Sequence, residues 1–426
     1  MQHRSKLILL FSAHIISNFA SGITMLAIPW HMVSKLDLDR ENALMMAGIT
    51  LLTIFWGLFA GTLIDKYNRK RIFQGQQIIA GSLVLCSGIT GVTLGELPVF
   101  FVGLVAMTTI FSWTLYYPNL YAFVQELFAP KYYKQINSGI ELIGQTTNFI
   151  GMLVGSVLLA GPAELGDWWP DSLMFRAWEL QEIFLLDGTT YLISAVIVSF
   201  IVYTPGDYNK SSTGGIFERV RYGFRFLRAR PNLLLFGIGS YIVFACLLVF
   251  IQVGMAMYVN FTLDLAYAKG ALVTAQFEAC YALGAVLTGL FGVLFAQRMQ
   301  RTNLIRQIIF LLFLMAGVYF VLSFNSVRWV FILTGLLVGF SNSGVRILRV
   351  TYLVRLIPND VIGRANSFFQ VCNTLMRLTF MALLALPWLG GPNVIYGLTV
   401  MGLACLAFGL VLMLRFAKFD QEAAYG

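Results

Sequence analysis

The chain has 426 residues, 58% of them hydrophobic and only 12% charged, with a formal net charge of +9. A soluble domain needs roughly a quarter charged residues to cover its surface, so this composition excludes water as the main solvent. The basic residues fall in separate short breaks rather than on one amphipathic face, which excludes a nucleic-acid surface and points to membrane topology.

A membrane-spanning helix needs about 20 mostly apolar residues. Such stretches are predicted at 7–32, 43–64, 73–94, 97–120, 136–160 and 183–203, then at 233–259, 270–296, 304–323, 327–351, 365–387 and 392–415. The first is too long for the apolar region of a signal peptide and no small-residue cleavage site closes it, so it is expected to be a permanent helix. Gly161 to Glu182 is acidic and carries Trp168, Trp169 and Trp178, which suits a cap at the outer headgroup level; aromatic anchoring and a binding role are its two readings. Gly206 to Pro231 opens with a polar Ser211-Ser-Thr-Gly-Gly215 linker. It then sets Ile216, Val220, Phe224 and Leu227 at helical spacing against Arg219, Arg221, Arg225 and Arg228, the pattern of an interfacial helix.

The expected fold class is therefore all-α, with twelve transmembrane helices in two pseudo-symmetric six-helix bundles. The bundles are 1–205, with an extracytoplasmic insert at 161–182, and 232–426, joined by the linker 206–231. Twelve spans put both termini on one side. Lys and Arg number roughly 21 in the loops of that side against about 5 on the other, so both termini are expected to be cytoplasmic. All five cysteines, Cys86, Cys246, Cys280, Cys372 and Cys405, lie in apolar stretches without CxxC spacing or histidine neighbours. They are expected to be small core residues, not a disulfide framework or a metal site.

An internal repeat supports the two halves. Gly57-Leu-Phe-Ala-Gly61-Thr-Leu-Ile-Asp65-Lys66-Tyr-Asn-Arg69 aligns without gaps on Gly289-Leu-Phe-Gly292-Val-Leu-Phe-Ala-Gln297-Arg298-Met-Gln-Arg301, at the ends of the second and eighth spans. Pro130 leading to Asn137-Ser138 is echoed by Pro358 leading to Asn366-Ser367. In such repeats the substrate site lies between the halves near the bilayer midplane.

Gly61-x-x-x-Asp65-Lys66-x-x-Arg69-Lys70-Arg71 resembles the signature loop of the major facilitator superfamily, with Asn68 where glycine is usual. An acid at a helix end beside a cationic turn is suited to pinning that loop to neighbouring helix termini in one conformation and releasing it in another. Three further segments resemble the macrolide-efflux and enterobactin-exporter group of that superfamily. They are Ser17-Asn-Phe-Ala-Ser21-Gly22 with Ala27 and Pro29-Trp30, the Gly223-Phe-Arg-Phe-Leu227 helix, and Pro358-x-x-x-x-Gly363-Arg364-x-Asn366-Ser367. The chain departs from the group at Ser21, where an acid is frequent, and at Met152, where proline often follows the glycine at Gly151. The resemblance implies alternating-access transport, proton-coupled efflux of an amphipathic drug-like or siderophore-like molecule, and residence as a monomer in a bacterial inner membrane. Kindred readings are a lipid or lysolipid transporter and a chelate importer; one of another class is a transport-dead receptor or assembly partner.

Ionisable residues inside spans are costly, so they default to functional candidates. Arg377 stands about twelve residues into the eleventh span, roughly 18 Å deep and so at the midplane. Gln370, Asn373 and Arg377 share one helix face, and the repeat places Glu141, Gly144 and Asn148, with Gln145 beside them, at equivalent positions on the fifth span. These faces are expected to line a central cavity, with Arg377 binding an anionic group or pairing with an acid. Arg346 and Arg349 either snorkel to the interface or join Arg377 as anion-binding forks. Glu278 is the first choice for proton carrier because it is deepest; Glu141, near the inner end of the fifth span, and Asp187, near the outer end of the sixth, are the other candidates. His14, Asn18 and Ser21 suit either cavity lining or helix-packing hydrogen bonds. The chain has no Gly-x-x-x-x-Gly-Lys-Ser/Thr loop, metal-ligand cluster or nucleophile motif, so no cofactor or enzymatic activity is expected and an ion gradient is left as the energy source.

Overall fold

Inside lipid a helix satisfies its own backbone N–H and C=O groups, so each long apolar run has one local solution. The computed structural model describes residues 2–162, 175–202, 216–295 and 301–415, and twelve of its helical segments are long and apolar enough to cross a bilayer. In chain order they begin with α1 (Gln2–Trp30), which runs into a π turn at His31–Lys35, then α2 (Asp39–Lys66), α3 (Arg69–Leu94), α4 (Val99–Leu127), α5 (Tyr133–Ala160) and α6 (Leu180–Ser199). The linker helix α7 (Ile216–Arg228) leads into α8 (Pro231–Val249), which continues through a π turn at Phe250–Gly254, the short α9 (Met255–Met257) and a second π turn at Tyr258–Thr262. The last five are α10 (Tyr267–Phe295), α11 (Arg301–Phe324), α12 (Arg328–Leu356), α13 (Asn359–Leu384) and α14 (Val394–Leu414). No strand occurs among the described residues.

Local chemistry sets the ends. Asn68 caps α3, its side chain accepting from Arg71 N at 3.1 Å, so the residue in place of the usual glycine has a helix-starting role. Gly95, at φ 76°, takes the chain out of α3. Glu179 and Glu182 form a reciprocal capping box at the start of α6. Several helices outrun their apolar stretches, because the lipid boundary by itself does not stop a helix. The fourth predicted span ends at 120, yet α4 carries Pro118 inside it and continues to Leu127.

By internal packing the chain divides into two units. One comprises Met1–Asp37, Leu51–Thr213 and Ala266–Ala275; the other comprises Leu38–Thr50, Gly214–Leu265 and Gln276–Gly426. In the first, α1 packs on α5 and α6, and α3 packs on α6 and α4. The α1–α5 approach depends on small residues. A Cβ on Gly151 would run into the backbone of Phe19. A core of Leu10, Phe73, Tyr116, Leu120, Phe123 and Ile140 fills this unit. In the second unit α11 packs on α14 and α12, and α13 on α7 and α8. Tyr258, on the second π turn, stacks on Phe331, which stacks on Phe277 with centroids 4.9 Å apart.

On the linker helix Leu227 is buried, Phe224 is partly exposed with its ring centroid 5.3 Å from that of Phe368, and Arg221, Arg225 and Arg228 are exposed. The side chains of Ile216, Arg219 and Val220 lie outside the described residues, as do Trp168 and Trp169 of the outer segment. Trp178 is described, its backbone N–H donating to Leu158 O at 2.8 Å. The cysteines need correction. Cys246 and Cys405 are core residues, but Cys86 is exposed on α3, because a span turns one face outward and a small apolar residue fits either face.

Candidate functional site

The basic turn after α2 ties three helices of the first unit together. Arg69, at the start of α3, forms an ion pair with Glu126 near the end of α4, and its carbonyl accepts from Asn119 Nδ2 at 2.9 Å. Lys70 Nζ donates to Ser199 O and Ile201 O, both at 2.8 Å. Those carbonyls end α6, where unpaired acceptors and the negative end of the helix dipole favour a cation. Arg71 is exposed, Lys66 lies 5.5 Å from the Tyr67 ring, and Gly61 faces open space. The side chain of Asp65 lies outside the described residues.

A polar seam runs along α1 through His14, Ser17, Asn18, Ser21 and Thr24, all buried. His14 Nε2 stands 3.0 Å from Ile140 O, which can only accept, so Nε2 carries the hydrogen. Nδ1 therefore accepts from Tyr116 Oη at 2.9 Å and Asn18 Nδ2 at 3.0 Å. Asn18 also donates to His14 O at 2.8 Å and accepts from Tyr117 Oη at 2.9 Å. Ser21 Oγ donates to Tyr191 Oη at 3.1 Å. These bonds tie α1 to α4, α5 and α6. Gln77 Nε2 joins Ser17 and Ser194, at 3.1 and 2.9 Å. Ser17, Asn18, Gln76, Ser112, Tyr116 and Tyr191 border a small recess with about 10 Å³ open to the centre of a water molecule.

Asp187 is fully buried beside this seam, its Oδ2 accepting from Thr24 Oγ1 at 2.6 Å while Oδ1 has no protein partner. The expectation that it sits near the end of its helix needs correction: α6 begins at Leu180, so Asp187 is roughly 10 Å inside. On α5, Gln145 is exposed, Asn148 lies half-buried against Gly22, and the side chain of Glu141 lies outside the described residues.

In the second unit Arg377 takes a partner the sequence did not suggest. Its Nη2 donates to Gln252 Oε1 at 3.0 Å, and among the described residues no carboxylate pairs with it. Gln252 belongs to the π turn at Phe250–Gly254. Such a turn inserts a residue into the helix, rotates the side chains that follow and loosens the carbonyl ladder. The Gln252 carbonyl accepts from Asn42 Nδ2 at 3.3 Å, so α2, the π turn and α13 meet at one glutamine. Around it Arg377 Nε, Asn373 Oδ1 and Asn42 Oδ1 are buried without protein partners. Within the span Ala365–Leu384, Arg377 stands roughly 10 Å from the Leu384 end and 18 Å from the other, so the midplane estimate shifts toward the end of α13.

The remaining candidates separate. Arg349 is only 5% exposed, its Nη1 donating to Ser240 O at 3.2 Å and its guanidinium lying 3.6 Å from the Tyr241 ring centroid, so it does not snorkel. Arg346 and Gln370 are exposed, whereas Asn373 is buried. Glu278 is buried with Oε1 unpartnered and forms no pair with Arg377. Sequence reasoning missed Gln252 and Asn42. Both are polar residues in apolar helices, so the rule that picked out Arg377 also reaches them.

The family model for the Major Facilitator Superfamily matches residues 10–381. Among curated proteins none matches the chain. A bacterial homologue of the human lysosomal transporter Spinster is 14% identical, with 98% of this chain and 96% of that one covered at a TM-score of 0.68. The nucleoside transporter NupG is 11% identical, with 96% and 99% covered at a TM-score of 0.70. A bacterial homologue of the iron transporter ferroportin is 16% identical, with 96% and 98% covered at a TM-score of 0.68. At these identities the likeness is one of fold.

Proposed function

The chain belongs to the Major Facilitator Superfamily and is a membrane transporter, not an enzyme, and from that premise we propose that it is a proton-coupled secondary transporter exporting an amphipathic organic anion. The halves 1–205 and 232–426, joined by 206–231, alternate access across a bacterial cytoplasmic membrane, with both termini inside. The neighbours of like fold include a nucleoside transporter and a homologue of an iron transporter, so the cargo has to come from this chain's own side chains. The observation that carries the reading is the Arg377 cluster. A guanidinium held by a neutral glutamine keeps its charge uncompensated, and its buried Nε and the nearby Asn373 Oδ1 retain bonding capacity. That suits a ligand with an anionic head and a hydroxyl or amide donor. Asp65 and Arg69 to Arg71 bias the conformational switch, Glu278, Asp187 and Glu141 are the proton-coupling acids, and direction follows from the resemblance to efflux proteins.

Proteoliposomes with an imposed proton gradient, screened with amphipathic carboxylates, organic cations and lysolipids, test this. Gradient-driven flux of a carboxylate that is lost in Arg377→Gln supports the proposal. Gradient-independent movement of lysolipid, unaltered in Arg377→Gln, overturns it in favour of lipid transport.

A further inference from the structure

We infer that the linker helix α7 binds anionic phospholipid, with Phe224 in the edge of the leaflet and Arg221, Arg225 and Arg228 on the headgroup phosphates. Helical spacing puts the three arginines, at i, i+4 and i+7, on one face, and sets Phe224 beside Arg221 and Arg228. Gly223 and Leu227 turn the opposite face inward: both are buried, and α7 packs on α13 and α8. All three arginines are exposed, and among the described residues no carboxylate pairs with any of them. The side chain of Glu218, like that of Arg219, lies outside the described residues. Like charges at i, i+4 repel across one turn of helix, so an external anion stabilises this stripe where its own neighbours do not.

Depth selects the anion. The Phe224 ring lies 5.3 Å from that of Phe368, which stands three residues past Ala365 and so about 5 Å inside the apolar span Ala365–Leu384. The span Pro231–Thr262 starts directly after Arg230, whose guanidinium lies 4.1 Å from the Phe226 ring centroid. Both neighbours therefore hold α7 at the apolar boundary, the level at which a bilayer carries its phosphates. Phe224 is 39% exposed there, which costs free energy against water but not against acyl chains. The arginine stems lie along that boundary while their heads reach the phosphates, where a guanidinium fork meets paired oxygens. A zwitterionic headgroup brings its own cation to the same place, so a lipid of net negative charge is preferred. Each arginine near an anionic surface is worth about fivefold in binding, so three should favour anionic over zwitterionic lipid by about tenfold or more. The site needs neither the Arg377 cluster nor a particular cargo or coupling ion.

A fluorophore on Ala229→Cys, in the full chain with Cys86→Ser, Cys280→Ser and Cys372→Ser to remove the accessible thiols, reports the lipid beside α7. In proteoliposomes of phosphatidylcholine, brominated phosphatidylglycerol should quench it at about one tenth of the mole fraction that brominated phosphatidylcholine requires. Arg221→Gln with Arg225→Gln and Arg228→Gln should abolish that preference at an unchanged melting temperature, because all three side chains are exposed. Arg221→Lys with Arg225→Lys and Arg228→Lys keeps the charge and should keep most of the preference. Added sodium chloride, which needs no substitution, should weaken it by screening. Equal quenching by the two lipids, or a preference that survives the three glutamines, overturns the proposal. Quenching by neither lipid also overturns it, since α7 then stands away from the bilayer. A preference removed by inorganic phosphate, yet not by sodium chloride of equal ionic strength, overturns it in favour of a soluble phosphoryl ligand.

Discussion

Asp37 and Asp264 hold the same left-handed backbone, φ 53° and 49°, each one residue past the leucine that closes a five-residue π turn. They are the only non-glycine residues with positive φ among those described, and they sit in matching triplets, Leu36-Asp37-Leu38 and Leu263-Asp264-Leu265. The repeat between halves therefore extends to the loops after the first and seventh spans, down to a local geometry that asparagine and aspartate tolerate best after glycine. Asp264→Gly should leave thermal stability in detergent unchanged or raised, whereas Asp264→Val should cost about 1–2 kcal/mol from the left-handed backbone alone. Equal melting temperatures for the two variants would show that the loop relaxes without cost.

Lys70 bridges the start of α3 to the last carbonyls of α6. Lys70→Met keeps the stem and removes the donor, so α6 should fray at its end. The stability loss should be modest, about 1 kcal/mol, because the ammonium is partly solvated. If the turn acts as a conformational latch, transport should slow while equilibrium binding of a transported anion stays within a few-fold. Loss of binding with normal stability would place the turn in the substrate site instead.

Gly144 makes room for the His14 bond to Ile140. A Cβ there would stand 2.9 Å from His14 Nε2 and 3.1 Å from Tyr117 Oη, so both rings would have to give way. Gly144→Ala should lose the Nε2 bond and destabilise the first unit by about 1–3 kcal/mol. The penalty should largely vanish in a His14→Ala background if that bond is what the methyl displaces. An additive double variant would move the cost to Tyr117 or to α1–α5 packing.

How far the sequence reaches differs from one feature to the next. The spans follow from apolar length, since lipid leaves the backbone a helix or a closed barrel. Lys70 at a helix end and the amphipathic Phe224–Leu227 face also follow from local rules. Helix ends moved from the apolar boundaries, outward at Leu127 and inward at Leu384, because hydropathy alone does not stop a helix. The partner of Arg377 was not legible, because it depends on a π turn, which has no sequence mark, rotating Gln252 on a different helix. Arg349 shows the converse. Its depth suggested an interface anchor or a binding fork, yet the Tyr241 ring one helix away offers its guanidinium a closer surface than either.

Arg377 supports the sharpest test, because its partner is neutral. If the guanidinium serves only to hold α13 against the π turn, then removing both partners should be harmless. Arg377→Met with Gln252→Leu replaces a polar contact by an apolar one of similar volume, and well-packed apolar replacements of buried polar pairs are commonly neutral or stabilising. Gln252→Leu alone removes the hydrogen bond that holds the guanidinium, a loss of about 1.5–3 kcal/mol for a bond to a charged group, and should lower the melting temperature clearly. The double variant should recover it. Transport then separates the roles: a stable double variant that still moves the anion makes Arg377 a structural tie, whereas a stable one that has lost both flux and anion binding makes it the ligand's counter-charge. Arg377→Lys sharpens the second outcome, since an ammonium keeps the charge but not the planar fork, and should weaken anion binding while leaving the fold intact.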